Sequence, residues 1–494
     1  MLECERMRKA KIVCTIGPAS SSPEMLEQLI GAGMNVTRLN FSHGTHESHT
    51  RAIRTVREAA QRAGAAVAIL QDIQGPRIRV GQLPEAGVML EAGRRVRLLS
   101  GQAAFDPRSG IHYSGKSVAS NYTAELSVTY EALAQDVRPG ARILINDGLV
   151  ELKAERVLND TVECTVVTGG LVTSHKGLNL PGTAVSAPTL TDKDREDLRF
   201  GVAQQVDYVA LSFVRGPADI AAARRLIVEQ GAEIPLIAKI ERPEAIEQLE
   251  GILDEADGVM IARGDLGVEM GPEIVPILQK RIILAANRKR KLVITATQML
   301  ESMTEHARPT RAEASDVANA VFDGTDAVML SAETAAGRYP VEAVRVMDRI
   351  VRAAEEGAEP GVVRVVEQTP HAADSFPEAM CAAACSAVAT IKADAVVAFS
   401  ESGATARLMS KQRPAAPIIA VTPSELIRRR MALYWGVVPL TMPRIEQTDA
   451  RVHEIERRLK EEGLAKSGQR LVILSGTIMG QRGGTNVMKL HEVA

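Results

Sequence analysis

Residues 234–243 read IPLIAKIERP, residues 258–267 GVMIARGDLG and residues 291–298 KLVITATQ. Each run is apolar and rich in β-branched residues, ends in polar or charged residues, and is followed by a helix-start signal, as parallel strands of a βα repeat are. Working outward from these three, the same pattern recurs at Lys11–Gly17, Met34–Ser42, Val67–Asp72, Tyr208–Val214 and Ala327–Ser331. The remaining strands of the set are Ile234–Glu241, Gly258–Asp265 and Lys291–Gln298. Ser22-Pro23, Pro217, Pro243 and Pro340 supply first-turn prolines for the intervening helices. Eight βα units predict a closed (β/α)₈ TIM barrel, an α/β fold, rather than an open sheet.

Two departures from the repeat divide the 494-residue chain, whose length already implies two to four domains. Between Arg79 and His175 the helical period disappears, and short alternating runs (Arg94–Leu99, Arg142–Ile145, Val150–Ala154, Val162–Val167) lie between turn residues. This predicts an inserted all-β domain. The chain returns at Lys176-Gly177-Leu178-Asn179, and a helix capped at Thr191 leads to the fourth strand. After Ala353 the composition shifts through Glu355-Glu356-Gly357, Pro360-Gly361 and Pro370. Beyond it, Asp394–Phe399, Pro417–Val421, Val437–Leu440 and Leu471–Ser475 read as strands of a separate open α/β domain. The expected division is 1–76 with 176–353 for the barrel, 77–175 for the insert and 354–494 for the C-terminal domain.

The formal charge of −2, with both signs mixed along the chain, gives no electrostatic case for a nucleic-acid or membrane partner. Cys4, Cys14, Cys164, Cys381 and Cys385 are scattered and odd in number, which points to reduced thiols rather than a disulfide framework or zinc site. Met1 to Ala10 lacks the apolar region of a signal peptide. A cytoplasmic protein is expected.

Functional side chains of a barrel gather at the carboxyl ends of its strands. On the second strand, alternation puts Arg38, Asn40 and Ser42 on one face, an oxyanion-binding set unless the run is a plain surface turn. Lys239 and Glu241 share a face of the fifth strand, and Asp265 ends the sixth at equivalent depth. Two carboxylates with few other donors suit Mg²⁺, which completes its shell with water and substrate oxygens; an ion cluster closing the barrel is the other reading. Thr295 and Thr297 fall on one face of the seventh strand, though a strand threonine is also simply a good β-former. Two cations and a divalent site describe phosphoryl transfer.

These residues resemble the pyruvate kinase family. Met34–Gly44 (MNVTRLNFSHG), Leu236–Arg242 (LIAKIER), Ile261–Glu269 (IARGDLGVE), Ile294–Met303 (ITATQMLESM) and Arg308–Gly324 (RPTRAEASDVANAVFDG) are similar to successive blocks of that family, in its order. The resemblance implies transfer of a phosphoryl group between phosphoenolpyruvate and ADP, with pyruvate and ATP as products. It implies Glu241 and Asp265 as ligands of Mg²⁺ or Mn²⁺, Lys239 stabilising the phosphoryl group in flight, and Arg38 contacting substrate phosphate. Main-chain amides of Gly264 and Asp265 would hold the substrate carboxylate, and Thr297 would stand near the enolate carbon. Asn40, His43, Arg79 and Lys176 match nucleotide contacts. The resemblance also implies a homotetramer, and a phosphorylated effector bound at Ser400, Ser402, Gly403, Ala404 and Thr405, a run that otherwise reads as an ordinary strand-to-helix turn.

One stretch departs from the family pattern. K⁺-requiring members carry Asp-Thr-Lys-Gly-Pro-Glu where this chain has Asp72-Ile73-Gln74-Gly75-Pro76-Arg77. Asn40, Ser42, Asp72 and the main chain of Ile73 remain as monovalent-cation ligands, while the permanent charge of Arg77 stands where K⁺-requiring relatives have glutamate. K⁺ is therefore expected to be dispensable. A Mg²⁺-dependent enolate lyase and a catalytically silent relative are the competing readings. The first would lack the insert and the Arg-x-Asn-x-Ser-His run; the second would have lost Lys239, Glu241, Asp265 or Thr297.

Overall fold

The computed structural model describes residues 7–101, 124–357, 375–476 and 484–494. Cys4, Pro360-Gly361 and Pro370 lie outside the described residues. Eight strands form a closed barrel: β1 (Lys11–Thr15), β2 (Val36–Asn40), β3 (Ala68–Ile73), β4 (Tyr208–Leu211), β5 (Leu236–Ile240), β6 (Gly258–Ala262), β7 (Leu292–Ala296) and β8 (Ala327–Leu330). Every neighbouring pair is parallel, and β1 closes the ring against both β2 and β8. Pro23, Pro217, Pro243 and Pro340 each open a helix, and Thr191 caps one with a full capping box.

The eight strands are those read from the sequence, but several stop short at their carboxyl ends. The chain turns into the helix Arg263–Met270 directly after β6, so Asp265 lies in a first helical turn and not in the strand. Beyond β7, Thr297 and Gln298 have φ of 73° and 54°, left-handed values that no strand continues through.

At the barrel floor a clamp recurs four times. The residue before each even-numbered strand gives its own N–H to a carbonyl of the odd strand beside it, and its side chain accepts that same residue's N–H. Asn35 does this to Ile12 (side-chain bond 3.0 Å), Asp207 to Ile69 (2.8 Å), Asp257 to Leu236 (2.9 Å) and Asp326 to Val293 (2.8 Å). Each clamp satisfies a buried strand-end amide that no strand neighbour serves.

The insert is a six-stranded sheet in the order 178–179, 142–145, 150–158, 161–168, 95–100, 124–128, with a two-stranded ribbon of 88–90 and 170–172. It has its own core around Leu98, Leu126, Ile143, Leu152 and Val162. Its two connections to the barrel run side by side, with Val80 N–H on Lys176 O (2.9 Å) and Leu178 N–H on Ile78 O (3.0 Å).

The C-terminal sheet is ordered β11-β10-β9-β12-β13, from β9 (Ala395–Phe399), β10 (Ile418–Thr422), β11 (Val437–Thr441), β12 (Arg470–Gly476) and β13 (Thr485–Glu492). The antiparallel edge strand β13 lies outside the strands the sequence pattern gives, because TNVMKLHE is mostly half-buried and shows no clean apolar alternation. This sheet docks against the barrel floor. Arg429 Nε bonds Asp207 Oδ1 (3.0 Å), Lys411 and Arg413 both pair with Asp326, and Lys11 Nζ reaches Val437 O (2.7 Å). Apolar side chains of the barrel interior and of the C-terminal sheet, Leu70, Met260, Val396 and Leu474 among them, merge into one buried cluster.

Burial in this junction pulls the Lys11 ammonium down to about 7. Between about pH 7 and pH 10 the unfolded chain therefore holds a proton that the folded chain has released. Stability must rise with pH across that window, and below pH 7 the cost of burying the charge is felt in full. Thermal melts should show the unmodified chain gaining on Lys11→Met between pH 6.5 and pH 9, by on the order of 2 °C or more. Parallel curves for the two proteins would show that Lys11 does not titrate in the junction.

Candidate active site at the carboxyl ends of the barrel strands

Asp72, next to last in β3, is 2 % exposed, and two cations from different strands converge on it. Arg38 on β2 bonds Asp72 Oδ2 through Nε (2.7 Å) and Thr15 Oγ1 through Nη1 (3.1 Å). Lys239 on β5 stands 3.4 Å from Asp72 Oδ1 and 2.8 Å from Glu241 Oε1, and donates to Ser212 Oγ (2.7 Å). Burial pushes the Asp72 carboxyl up, but Lys239 and Arg38 together outweigh it and hold the group below its ordinary value. Burial likewise pulls Lys239 down, and Asp72 and Glu241 reverse it, so the ammonium is held above its free value. Both ions are therefore charged at neutral pH. Removing one partner of such a buried pair typically costs about 3–5 kcal/mol.

Glu241 follows β5 and is 1 % exposed. Its Oε2 accepts the Phe213 N–H (2.7 Å), while Oε1, although close to Lys239, receives no well-directed hydrogen bond. Burial pushes this carboxyl up and the Asp265 charge adds to it, against the pull of Lys239. Two cations, Arg38 and Lys239, thus face three carboxylates, Asp72, Glu241 and Asp265. The free lone pairs of Glu241 and its repulsion by Asp265 are what a divalent cation between the two would relieve.

The helix Arg263–Met270 begins on Ala262 with no side-chain cap, which leaves the first-turn amides of Gly264 and Asp265 without intrahelical acceptors. Such amides favour an anion. Thr297 stands against this turn: a Cβ on Gly264 would lie 3.1 Å from Thr297 Cγ2. Alternation along β7 had put Thr295 and Thr297 together, and the structure separates them. Thr295 is fully buried and bonded to Thr325 Oγ1 (2.9 Å), whereas Thr297 lies past the strand in its left-handed conformation. Arg263 holds that conformation, with Nη2 on Thr297 O (2.7 Å), Nε on Ala296 O (3.1 Å) and Nη1 on Asp316 Oδ1 (2.8 Å).

Beside this centre, β2 runs into a turn in which Asn40 Oδ1 accepts the Ser42 N–H (3.1 Å). Ser42 is thus past the strand rather than on its face. Phe41 stacks on His49, ring centroids 4.0 Å apart, and fixes the turn that presents His43. Burial, then Arg79, Arg77 and Arg38, push the His43 imidazole below its ordinary value, so it is neutral at pH 7. Arg79 Nη1 bonds His175 O (2.9 Å), and Lys176 is half-buried in the paired connection. The Ile73 carbonyl accepts from Ser212 Oγ (2.8 Å). Arg77 pairs with the exposed Asp147 of the insert (3.7 Å), while the ion pairs on Asp72 come from Arg38 and Lys239.

The barrel-domain model of pyruvate kinase matches residues 7–344 and its alpha/beta-domain model residues 378–491. The chain belongs to the pyruvate kinase family. It is 45 % identical over 489 residues, 99 % of its length, to the pyruvate kinases of Staphylococcus epidermidis and Staphylococcus aureus, and covers 81 % of each. A solved pyruvate kinase from Cryptosporidium parvum superposes with a TM-score of 0.88 at 36 % identity, over 100 % of this chain and 98 % of the other.

Of the residues expected in a pyruvate kinase site, the structure joins Arg38, Asp72, Lys239 and Glu241 through direct contacts, and Gly264 with Thr297. Two contributors had no assigned role in the sequence reading. Ser212 ties Lys239, Asp72 and Ile73 together, and its only signal was a hydroxyl at the end of a buried strand. Arg263 stood in the quoted run beside Asp265, but nothing in sequence says that it reaches across to the next strand end. In the C-terminal domain, Ser400 is buried after β9, Gly403 takes φ 81° and the helix Ala404–Lys411 follows. Thr405 turns inward to Thr485 Oγ1 (2.6 Å), which removes its hydroxyl from the surface of that loop.

Gly264→Ala should displace Thr297 and lower kcat by about tenfold or more with little change in Tm, since small misplacements at a reacting centre are costly. A variant with unaltered kcat would show that Thr297 tolerates movement.

Proposed function

We propose that the chain carries out the pyruvate kinase reaction at this barrel mouth, phosphoenolpyruvate giving up its phosphoryl group to ADP to yield pyruvate and ATP. The observation that carries the reading is the buried Arg38–Asp72–Lys239–Glu241 array, two fixed cations beside a carboxylate with free lone pairs, on a chain of this family. Glu241 and Asp265 would hold Mg²⁺ or Mn²⁺, which when bound neutralises phosphoryl oxygens. Arg38 and Lys239 bind the phosphoryl oxygens, and the fixed charge of Lys239 offsets their negative charge during transfer. Gly264 and Asp265 offer amides to the substrate carboxylate, and Thr297 stands where the enolate carbon receives its proton.

Asn40, His43, Arg79 and Lys176 are assigned to the nucleotide; the neutral His43 among arginines suits its phosphate chain. Arg79 and Lys176 lie in the paired connections, so closure of the insert over the barrel would exclude water and direct the phosphoryl group to ADP. We take 77–175 as this lid, 1–76 with 176–353 as the catalytic barrel and 354–494 as a regulatory domain. A cytoplasmic homotetramer controlled by a phosphorylated effector at Ser400, Ser402, Gly403 and Ala404 completes the reading. No helix among the described residues is long and apolar enough to cross a membrane.

A coupled assay of pyruvate formation tests the assignment. Glu241→Gln and Asp265→Asn should each lower kcat by at least about 10³-fold at ordinary Mg²⁺, and near-normal turnover in either would remove that residue from the metal site. Thr297→Ala should slow pyruvate formation while leaving phosphoenolpyruvate binding within about threefold; equal damage to both would assign it to packing.

K⁺ is proposed to be dispensable. Arg77 carries a permanent positive charge on the approach to the site, and Asp72 is already neutralised by Arg38 and Lys239. Rates in tetramethylammonium and K⁺ buffers of equal ionic strength should agree within about twofold. A large stimulation by K⁺ would instead assign Asn40, Ser42, Asp72 and the Ile73 carbonyl to a monovalent cation.

A further inference from the structure

The helix Arg263–Met270 carries two acidic residues on one face, Asp265 in its first turn and Glu269 one turn later. Glu269 is 8 % exposed. Its Oε1 accepts a hydrogen bond from Asn179 Nδ2 at 3.0 Å, and its Oε2 is buried without a hydrogen-bond partner. Asn179 lies four residues past the boundary taken at 175, yet its strand hydrogen bonds are made with the inserted sheet and not with the barrel. It ends the strand Leu178–Asn179, which pairs with Arg142–Ile145 inside the inserted sheet. The Asn179–Glu269 bond therefore runs directly from the insert to the helix that bears Asp265. Both residues line one cleft, together with Asp265, Phe213 and Arg242.

The rest of the returning segment is fastened to the neighbouring strand ends. Arg242, adjacent to Glu241, donates to Thr183 O (3.2 Å). Arg215, beyond β4, donates to Val185 O (2.9 Å), Ala187 O (3.0 Å) and Thr189 Oγ1 (2.5 Å). Those bonds hold the segment already past the insert, and they anchor it. Asn179 lies upstream of the anchor, where a movement of the inserted sheet is still carried by the chain. An eight-residue helix spans about 12 Å and is stiff at that length, so displacement of its last turn tilts its first.

We propose that Asn179 and Glu269 form a latch through which the position of the inserted sheet sets the position of the Asp265 carboxylate, making Glu269 a positioning residue for the divalent ion. The proposal rests on Asp265 being a ligand of that ion. In this reading Glu269 acts on the ion through Asp265. Its carboxylate is held to the insert by one directed bond, so the link makes and breaks with lid movement while the anchored segment stays put.

Mn²⁺ binding to the full chain without substrates, followed by titration calorimetry, tests the latch apart from turnover. Asn179→Ala and Glu269→Ala should each raise the Mn²⁺ dissociation constant roughly fivefold, and the double variant should be no worse than either, because one interaction is lost in all three. Glu269→Gln keeps an acceptor for Asn179 and should stay within about twofold of the unmodified chain. Hydrogen exchange gives a second readout: Mn²⁺ should slow exchange over residues 176–180 in the unmodified chain and not in Glu269→Ala. Additive losses in the double variant, or unchanged Mn²⁺ affinity in both single variants, would overturn the latch. Asp265→Asn separates the two failures. If it too leaves Mn²⁺ affinity unchanged, the metal assignment has failed; if it abolishes binding while the latch variants are silent, only the latch has.

Discussion

A carboxylate taken out of water is costly unless countercharges stand within a few ångströms, and Asp72 meets that demand from two strands at once. Arg38 reaches it from β2 and Lys239 from β5, across the mouth of the closed ring. Much else at the mouth follows from satisfying that ion. Lys239 carries more donors than Asp72 can use, so it turns also to Glu241 and Ser212. Glu241, paired with the lysine through Oε1, keeps lone pairs that a divalent cation could use. In the proposed reaction the same cations would bind the phosphoryl group, so the stability of the barrel mouth and its chemistry would use one set of charges.

The floor of the barrel shows the opposite use of carboxylates. Asp207 and Asp326 clamp strand-end amides and at the same time receive Arg429, Lys411 and Arg413 from the C-terminal domain. These ions sit among merged apolar side chains, so docking cannot slide without stranding a buried charge. The helix Ala404–Lys411 has the loop assigned to an effector at one end and Lys411 on Asp326 at the other. Asp326 in turn holds Val293 of β7, the strand that leads up to Thr297.

The competing readings of the sequence fare differently against this geometry. An enolate lyase would need no insert, and here the insert is a folded sheet with its own core, connected to the barrel by paired strands at Arg79 and Gly177. A silent relative would have lost part of the charged array, which is intact. An ion cluster that merely closes the barrel does describe Arg38, Asp72, Lys239 and Glu241, but it gives no reason for setting Asp265 near Glu241, where its charge opposes that of Glu241.

By itself the sequence determined the eight strands, the insert, the C-terminal sheet and the polar residues at the strand ends. Those features rest on local periods and on residue types that one segment displays without reference to another. Lys239 with Glu241 could be read because alternation is a local rule. Where the rule stopped holding, the reading failed: Thr297 was aligned with Thr295 because nothing local announces a left-handed residue after a strand. The clamps at Asn35, Asp207, Asp257 and Asp326 repeat before alternate strands, yet an Asn or Asp before a strand has no meaning until its neighbour is known. Ser212, Arg263 and the Asn179–Glu269 bond are contacts between residues 27 to 140 positions apart. Tertiary structure alone decided them, because closing the ring determines which strand ends face one another, and a buried polar group then takes whichever partner closure brings within reach.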